Sequence, residues 1–147
     1  GCVLYLSSHG SEVGFLLSLE SSNLLTPSEL DALVDTGCGD KPTAIVISAC
    51  HSGRFVPAVA APNRLLITAA RVDRTSFGCS ADEVYTFFDG CILTTLPTVL
   101  GWEQLYAGAN QCVSDREQSL GYMPSEPQLS VGQVMVNVAL PTAPTTP

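Results

Sequence analysis

The sequence predicts an α/β domain: a mostly parallel central sheet flanked by helices. Three observations carry this. Residues 44–48 and 65–69 are short, nearly all-apolar runs, which is how strands buried on both faces read. Capped segments with apolar residues at helical spacing stand between and after them. The two kinds of segment alternate along the chain, as strands and crossover helices do. The 147 residues suffice for one domain and not for two. A composition 46% hydrophobic and only 14% charged is that of a core-rich globular chain rather than a disordered one.

The elements follow in order. Residues 3–8 form an apolar run ending in Ser7-Ser8-His9-Gly10, read as a buried strand and then a loop. Residues 13–19 form a second apolar run, a strand or hairpin beyond that loop. Thr26-Pro27-Ser28-Glu29 opens a helix: Thr26 caps it, Pro27 suits its first position and Glu29 completes a capping box. Leu30, Leu33 and Val34 give its apolar face, and Gly37 is expected to end it. After the two buried strands, Ser80 to Glu83 reads as another capping box, with Val84, Phe87, Phe88, Cys91 and Ile92 following at helical spacing. Asp82 and Glu83 would then occupy its first turn, where the dipole favours them. Trp102, Leu105, Tyr106, Ala109, Cys112 and Val113 mark a further helix. Pro124 and Pro127 break the chain, and the alternation over residues 131–139 predicts a final strand. A single domain over residues 1–140 is expected, with a disordered Pro/Thr-rich tail at 141–147. There is no internal repeat and no glycine-rich phosphate loop.

The net charge of −8, with one lysine and five scattered arginines, excludes a nucleic-acid partner and is compatible with a cationic substrate. No apolar run is long enough to cross a bilayer. The opening residues, Cys2 to Leu6, already read as core strand, so upstream strands are expected outside this sequence, or a partner chain or second copy at the open sheet edge. The six cysteines lack metal-ligand spacing and are too sparse for a small disulfide scaffold. Several stand at apolar helix positions, where cysteine acts as a small hydrophobe. The redox compartment stays open.

Ligands of open α/β sheets bind outside the carboxyl ends of the strands. His9 follows the first strand and Cys50 follows the strand at 44–48. If these strands are parallel neighbours joined by a right-handed crossover through the Thr26 helix, imidazole and thiol emerge on one edge. A thiolate is a nucleophile, and an adjacent imidazole favours it and supplies a proton to a leaving group. Gly10, and Ser52-Gly53 after Cys50, leave room for a substrate backbone and for main-chain N–H groups aimed at an oxyanion. Spacing alone also fits an inert core cysteine and a structural histidine.

The motifs Ser8-His9-Gly10-Ser11 and Ser48-Ala49-Cys50-His51-Ser52-Gly53 resemble the His-Gly and Ala-Cys-x-Ser-Gly motifs of the legumain-like C13 cysteine peptidases, bacterial members among them. Ile67-Thr68-Ala69-Ala70, followed by Thr75-Ser76-Phe77-Gly78-Cys79, is similar to a third segment of that family. The resemblance implies a caspase-like sandwich of clan CD and a cysteine endopeptidase acting on peptides or proteins, without metal or organic cofactor. It implies that Cys50 attacks the scissile carbonyl and His9 protonates the leaving amine. The N–H groups of Gly10 and Cys50 would form the oxyanion hole of an acyl-enzyme pathway. Thr75, Ser76 and Phe77 would line the primary specificity pocket. Legumains carry an acidic residue where this chain has Ser48, which unsettles any carry-over of asparagine selectivity. His51 is expected to face away from Cys50, and Arg54, Arg71 and Arg74 to pair at the surface with Asp73 or Asp82. A transamidase or ligase using the same dyad is the alternative within this chemistry, and a non-catalytic caspase-like interaction domain the alternative outside it.

Overall fold

The computed structural model describes residues 1–18, 20, 23–80 and 82–141. In chain order the elements are β1 (Cys2–Ser7), a small hairpin of β2 (Phe15–Leu16) and β3 (Leu24–Leu25), α1 (Pro27–Cys38), β4 (Thr43–Ser48), a 3-10 turn at Ser52–Phe55 running into α2 (Val56–Val59), β5 (Arg64–Thr68), α3 (Phe87–Thr95), a 3-10 turn at Leu96–Thr98, α4 (Trp102–Leu120) and β6 (Gln128–Val131). The main sheet has the order β1–β4–β5–β6. β1, β4 and β5 run parallel, and β6 pairs antiparallel with β5. No helix among the described residues is long and apolar enough to cross a membrane.

The unbroken apolar runs are explained by burial on both faces. Ile45, Ile47 and Leu66 enter one core with Phe15 and Leu25 of the hairpin, Leu30 and Val34 of α1, and Phe55 and Val59. Ala44, Val46, Leu65 and Ile67 enter the other with Phe88 and Ile92 of α3 and Leu105, Ala109 and Val113 of α4. β1 is different. Its Cys2, Leu4 and Leu6 pack on the α1 side, whereas Val3 and Tyr5 are 54% and 46% exposed. It is the edge strand among the described residues, and not the fully buried one that its apolar run predicts.

α1 begins as expected. The Thr26 hydroxyl accepts the Glu29 N–H, and the Glu29 carboxylate accepts the Thr26 N–H at 2.8 Å. The helix runs through Gly37 to Cys38, because Leu30, Val34 and Cys38 continue a buried stripe at four-residue spacing. α3 starts at Phe87, not near Ser80. Thr86 is its cap, and Val84, expected on its apolar face, is 85% exposed. Asp82 and Glu83 therefore precede the helix, and the first-turn acid is Asp89. The last strand is 128–131. Beyond it Gly132 donates to the Arg64 carbonyl at 2.8 Å and the chain turns, sending Met135 and Leu140 into the α3–α4 core. Of the predicted tail, all but Pro141 lies outside the described residues.

Four cysteines are not the thiol hydrophobes the sequence suggests. Cys2 pairs with Cys38, clipping β1 to the end of α1, and Cys91 pairs with Cys112, joining α3 to α4. Cys50 and Cys79 are free. A buried charge completes the frame. Arg64, 3% exposed at the start of β5, donates to Asp31 at 2.6 Å, to the Val59 carbonyl at 2.9 Å and to Asp35, so sheet, α1 and α2 meet on one guanidinium.

Candidate active site

β1 and β4 are paired in register, from Cys2 beside Thr43 to Ser7 beside Ser48. The Ser8 N–H extends the ladder to the Ser48 carbonyl at 3.1 Å. His9 and Cys50 each stand two residues beyond these matched strand ends, so both come to the carboxyl edge of the sheet on neighbouring chains. The contact between the two loops is direct. A Cβ placed on Gly10 would lie 3.0 Å from the Ala49 Cβ and 3.0 Å from the Cys50 carbonyl carbon, and closer still to the Cys50 carbonyl oxygen. Only glycine allows the His9 loop to cross the Cys50 turn at this range. The small hairpin holds the loop from its other side. The Leu16 N–H donates to the His9 carbonyl at 2.9 Å and the Ser11 N–H to that of Gly14 at 2.9 Å. Among the described residues, the N–H groups of Gly10 and Cys50 have no main-chain acceptor.

The turn that presents Cys50 is fixed from β5. His51 adopts a left-handed conformation, φ 57°, and its N–H donates to the Arg74 carbonyl at 2.8 Å. Its ring Nδ1 donates to the Val72 carbonyl at 3.0 Å, so the imidazole is tied to the 71–74 turn. The buried Ser52 hydroxyl accepts the Ala70 N–H at 3.1 Å, and the Gly53 N–H reaches the Ala70 carbonyl at 2.8 Å. The Ser-Gly pair after the cysteine thus joins β4 to the end of β5. Arg71 pairs with Asp73, as expected, and also with Glu126, which Arg74 approaches at 3.5 Å. The Arg71 hydrogen bond holds the Asp73 carboxyl down at about 2.

The thiol itself meets the 75–79 segment. Cys50 Sγ lies 3.3 Å from the Ser76 N–H, 3.5 Å from its carbonyl and 3.7 Å from its hydroxyl. Thr75 is exposed beside it. Phe77 anchors the segment on α3: its carbonyl accepts the Phe87 N–H at 2.9 Å, and its ring lies 4.7 Å from that of Tyr122. Gly78, at φ 95°, lets the backbone pass so close to Phe87 that a side chain there would strike its N atom at 2.6 Å.

At the start of α3 lies a polar cluster. Ser48, 2% exposed, has its hydroxyl 3.4 Å from that of Thr86, which accepts the Asp89 N–H at 3.0 Å. The Asp89 carboxylate accepts the Ser7 hydroxyl at 2.8 Å and the Tyr5 hydroxyl at 2.6 Å. Burial, this hydrogen bond and the Asp89 charge raise the Tyr5 phenol, keeping it a neutral donor. Burial chiefly, then the neighbouring Cys50 and Asp89 charges, raise the Cys79 thiol.

The family model described as the peptidase C13 family matches residues 2–137. The chain belongs to the peptidase C13 family. No curated protein matches it. Membership, with the mostly parallel sheet between helices, gives this C13 chain a caspase-like fold and a function of the cysteine peptidase or transamidase kind. Of the site residues read from its sequence, Gly10 of the His9 loop lies against the Cys50 turn and Ser76 touches the thiol, while Ser48 lies in the polar cluster at the start of α3. Tyr5, Ser7 and Asp89 are the residues that the sequence reading missed. Thr86-Phe87-Phe88-Asp89 has the spacing of a helix-opening pair and is the signal that points to Asp89.

Proposed function

We propose that this C13 chain is a cysteine endopeptidase that hydrolyses peptide bonds through a His9/Cys50 dyad and an acyl-enzyme. The observation supporting it is the matched ending of β1 and β4, which brings the loops carrying His9 and Cys50 to one sheet edge, with Gly10 packed on the Cys50 carbonyl. The Cys50 thiolate attacks the scissile carbonyl carbon, and the π pair moves to oxygen. The unoccupied N–H groups of Gly10 and Cys50 receive that oxyanion; one such donor is worth about 100- to 1,000-fold in rate. His9 gives its proton to the leaving amine as the C–N bond breaks. It then takes a proton from water, which attacks the thioester and restores the thiolate. Ser48, Thr75, Ser76 and Phe77 surround the side chain that precedes the cleaved bond. Cleavage of a fluorogenic peptide mixture by the parent, and its loss in Cys50→Ala and His9→Ala, is the expected result. Equal turnover by Cys50→Ala would refute the assignment.

A further inference from the structure

We propose that Glu126 is a positioning residue: from the loop between α4 and β6 it holds Arg71 and Arg74, and through them sets the turn that presents Cys50. The inference rests on the Cys50 nucleophile assigned above. The turn after Cys50 is bonded to residues 70–74 along its whole length. The His51 N–H and ring Nδ1 reach the Arg74 and Val72 carbonyls at 2.8 and 3.0 Å. The Gly53 N–H reaches the Ala70 carbonyl at 2.8 Å, and the Ser52 hydroxyl accepts the Ala70 N–H at 3.1 Å. Where residues 70–74 go, the Cys50 turn goes. Those residues are held in their place by the loop after α4. The Arg71 N–H donates to the Ser125 carbonyl at 2.9 Å, and the Ser125 N–H donates to the carboxylate of Glu117, buried on α4, at 3.1 and 3.2 Å. One residue further on, Glu126 accepts the Arg71 guanidinium at 2.6 Å and faces that of Arg74 at 3.5 Å. A single carboxylate thus spans the two cations at the ends of the 71–74 turn.

Asp73 does not duplicate this. It lies inside the turn and pairs with Arg71 alone, so it ties the turn to nothing else. Among the described residues Glu126 is the one ion-pair partner of Arg74. Arg74 is 23% exposed, and its Nε is buried without a hydrogen-bond partner. Without Glu126 that charge is balanced only by opening the turn to water. The Arg74 carbonyl, which holds the His51 N–H, then moves with it. The Glu126 backbone stands at φ 55°, a conformation that favours glycine, and the reach of its side chain to both arginines accounts for a glutamate there. The Arg71–Glu126 pair is 37% and 38% exposed, and pairs this open add little to stability. Loss of Glu126 is therefore read in the alignment of the nucleophile, where a displacement near 1 Å costs on the order of 100-fold in rate, and not in the melt.

Steady-state hydrolysis of the fluorogenic peptide that the parent cleaves fastest provides the test. It is measured in Glu126→Gln, Glu126→Gly, Asp73→Asn, Arg74→Gln and the double variant Glu126→Gln/Arg74→Gln, each with its urea midpoint. Both Glu126 variants lower kcat by at least about tenfold and leave KM within about threefold of the parent. Glycine suits the left-handed conformation, so Glu126→Gly carries the test if Glu126→Gln does not unfold cooperatively. Asp73→Asn removes the same charge and keeps the parental kcat. The double variant is no slower than the slower of its two single variants, because both break one link. A parental kcat in either Glu126 variant, a loss in Asp73→Asn equal to that in Glu126→Gln, or losses that multiply in the double variant overturns the assignment of Glu126 while leaving the nucleophile intact. If the parent shows no Cys50-dependent cleavage of any peptide in the mixture, the peptidase reading itself falls, and the positioning reading with it.

Discussion

Replacing Gly10 by alanine should separate the geometry of the site from its chemistry. Gly10 does not occupy the left-handed region, so its backbone conformation accepts alanine. The obstacle is contact alone. The new Cβ would stand 3.0 Å from the Ala49 Cβ and 3.0 Å from the Cys50 carbonyl carbon. The Cys50 carbonyl oxygen is nearer still, and carbon atoms settle at about 3.5–4.0 Å from one another, so the loop must retreat by at least about 1 Å. β4 is buried on both faces and will not yield, whereas the His9 loop is at the surface and will. The retreat carries His9 away from Cys50 and the Gly10 N–H away from the oxyanion. A displacement near 1 Å costs on the order of 100-fold in rate, while overpacking of this kind destabilises by about 1–3 kcal/mol. Gly10→Ala should therefore stay folded by circular dichroism and still lose about two orders of magnitude in peptide hydrolysis. A variant within threefold of the parental rate would refute the claim that the loop crossing sets the dyad.

Three further outcomes are expected. Under denaturing, non-reducing conditions two thiols per chain should react with a disulfide reagent, Cys50 and Cys79; loop closure over separations of 36 and 21 residues gives each bridge about 4 and about 3 kcal/mol, read as lower urea midpoints for Cys2→Ser/Cys38→Ser and Cys91→Ser/Cys112→Ser. Four or more reactive thiols would contradict the pairing. Arg64→Ala should cost about 2 kcal/mol in urea unfolding, below the 3–5 of a fully enclosed pair because Asp31 and Asp35 reach solvent, and a midpoint equal to the parent's would dismiss Arg64 as the tie between sheet and helix. In Cys50→Ala, Cys79 should alkylate more slowly at pH 8 than a free cysteine, since burial raises its thiol and leaves less thiolate; a rate equal to free cysteine would count against it.

Much of this fold is legible in the sequence because local and tertiary signals agree. The run Ala44 to Ile47 is apolar at every position, and β4 is buried on both faces. Thr26 and Glu29 spell the capping box that α1 uses. The misreadings fall where two signals compete. Ser80 to Glu83 offers a cap, but the chain must first lay Phe77 against α3, so the helix waits for the second cap at Thr86. The alternation of residues 131–139 imitates a strand, yet Gly132 turns the chain, and Met135 and Leu140 are buried in the core with Val131 and Val138 packed against it. Disulfide pairing is invisible for a plain reason. Cys2 and Cys38 are 36 residues apart and meet only because α1 returns along β1, so the pairing is a property of the tertiary fold.

The site divides along the same line. His9 and Cys50 are readable because each ends a strand, and a strand end is a local feature. The polar cluster at the start of α3 is not local. Asp89 is more than eighty residues from Tyr5 and Ser7 in sequence, and they meet because these two residues of β1 turn toward the start of α3. In β4, buried on both sides, the register partners of Tyr5 and Ser7 are Val46 and Ser48. The alternation of Leu4 and Leu6 with Tyr5 and Ser7 thus records two demands on one strand: the first pair packs on the core, and the second holds the Asp89 carboxylate at the start of α3. Changes at Leu4 or Leu6 should then lower the urea midpoint more than a change at Ser7 does, and equal losses would refute this division of the strand.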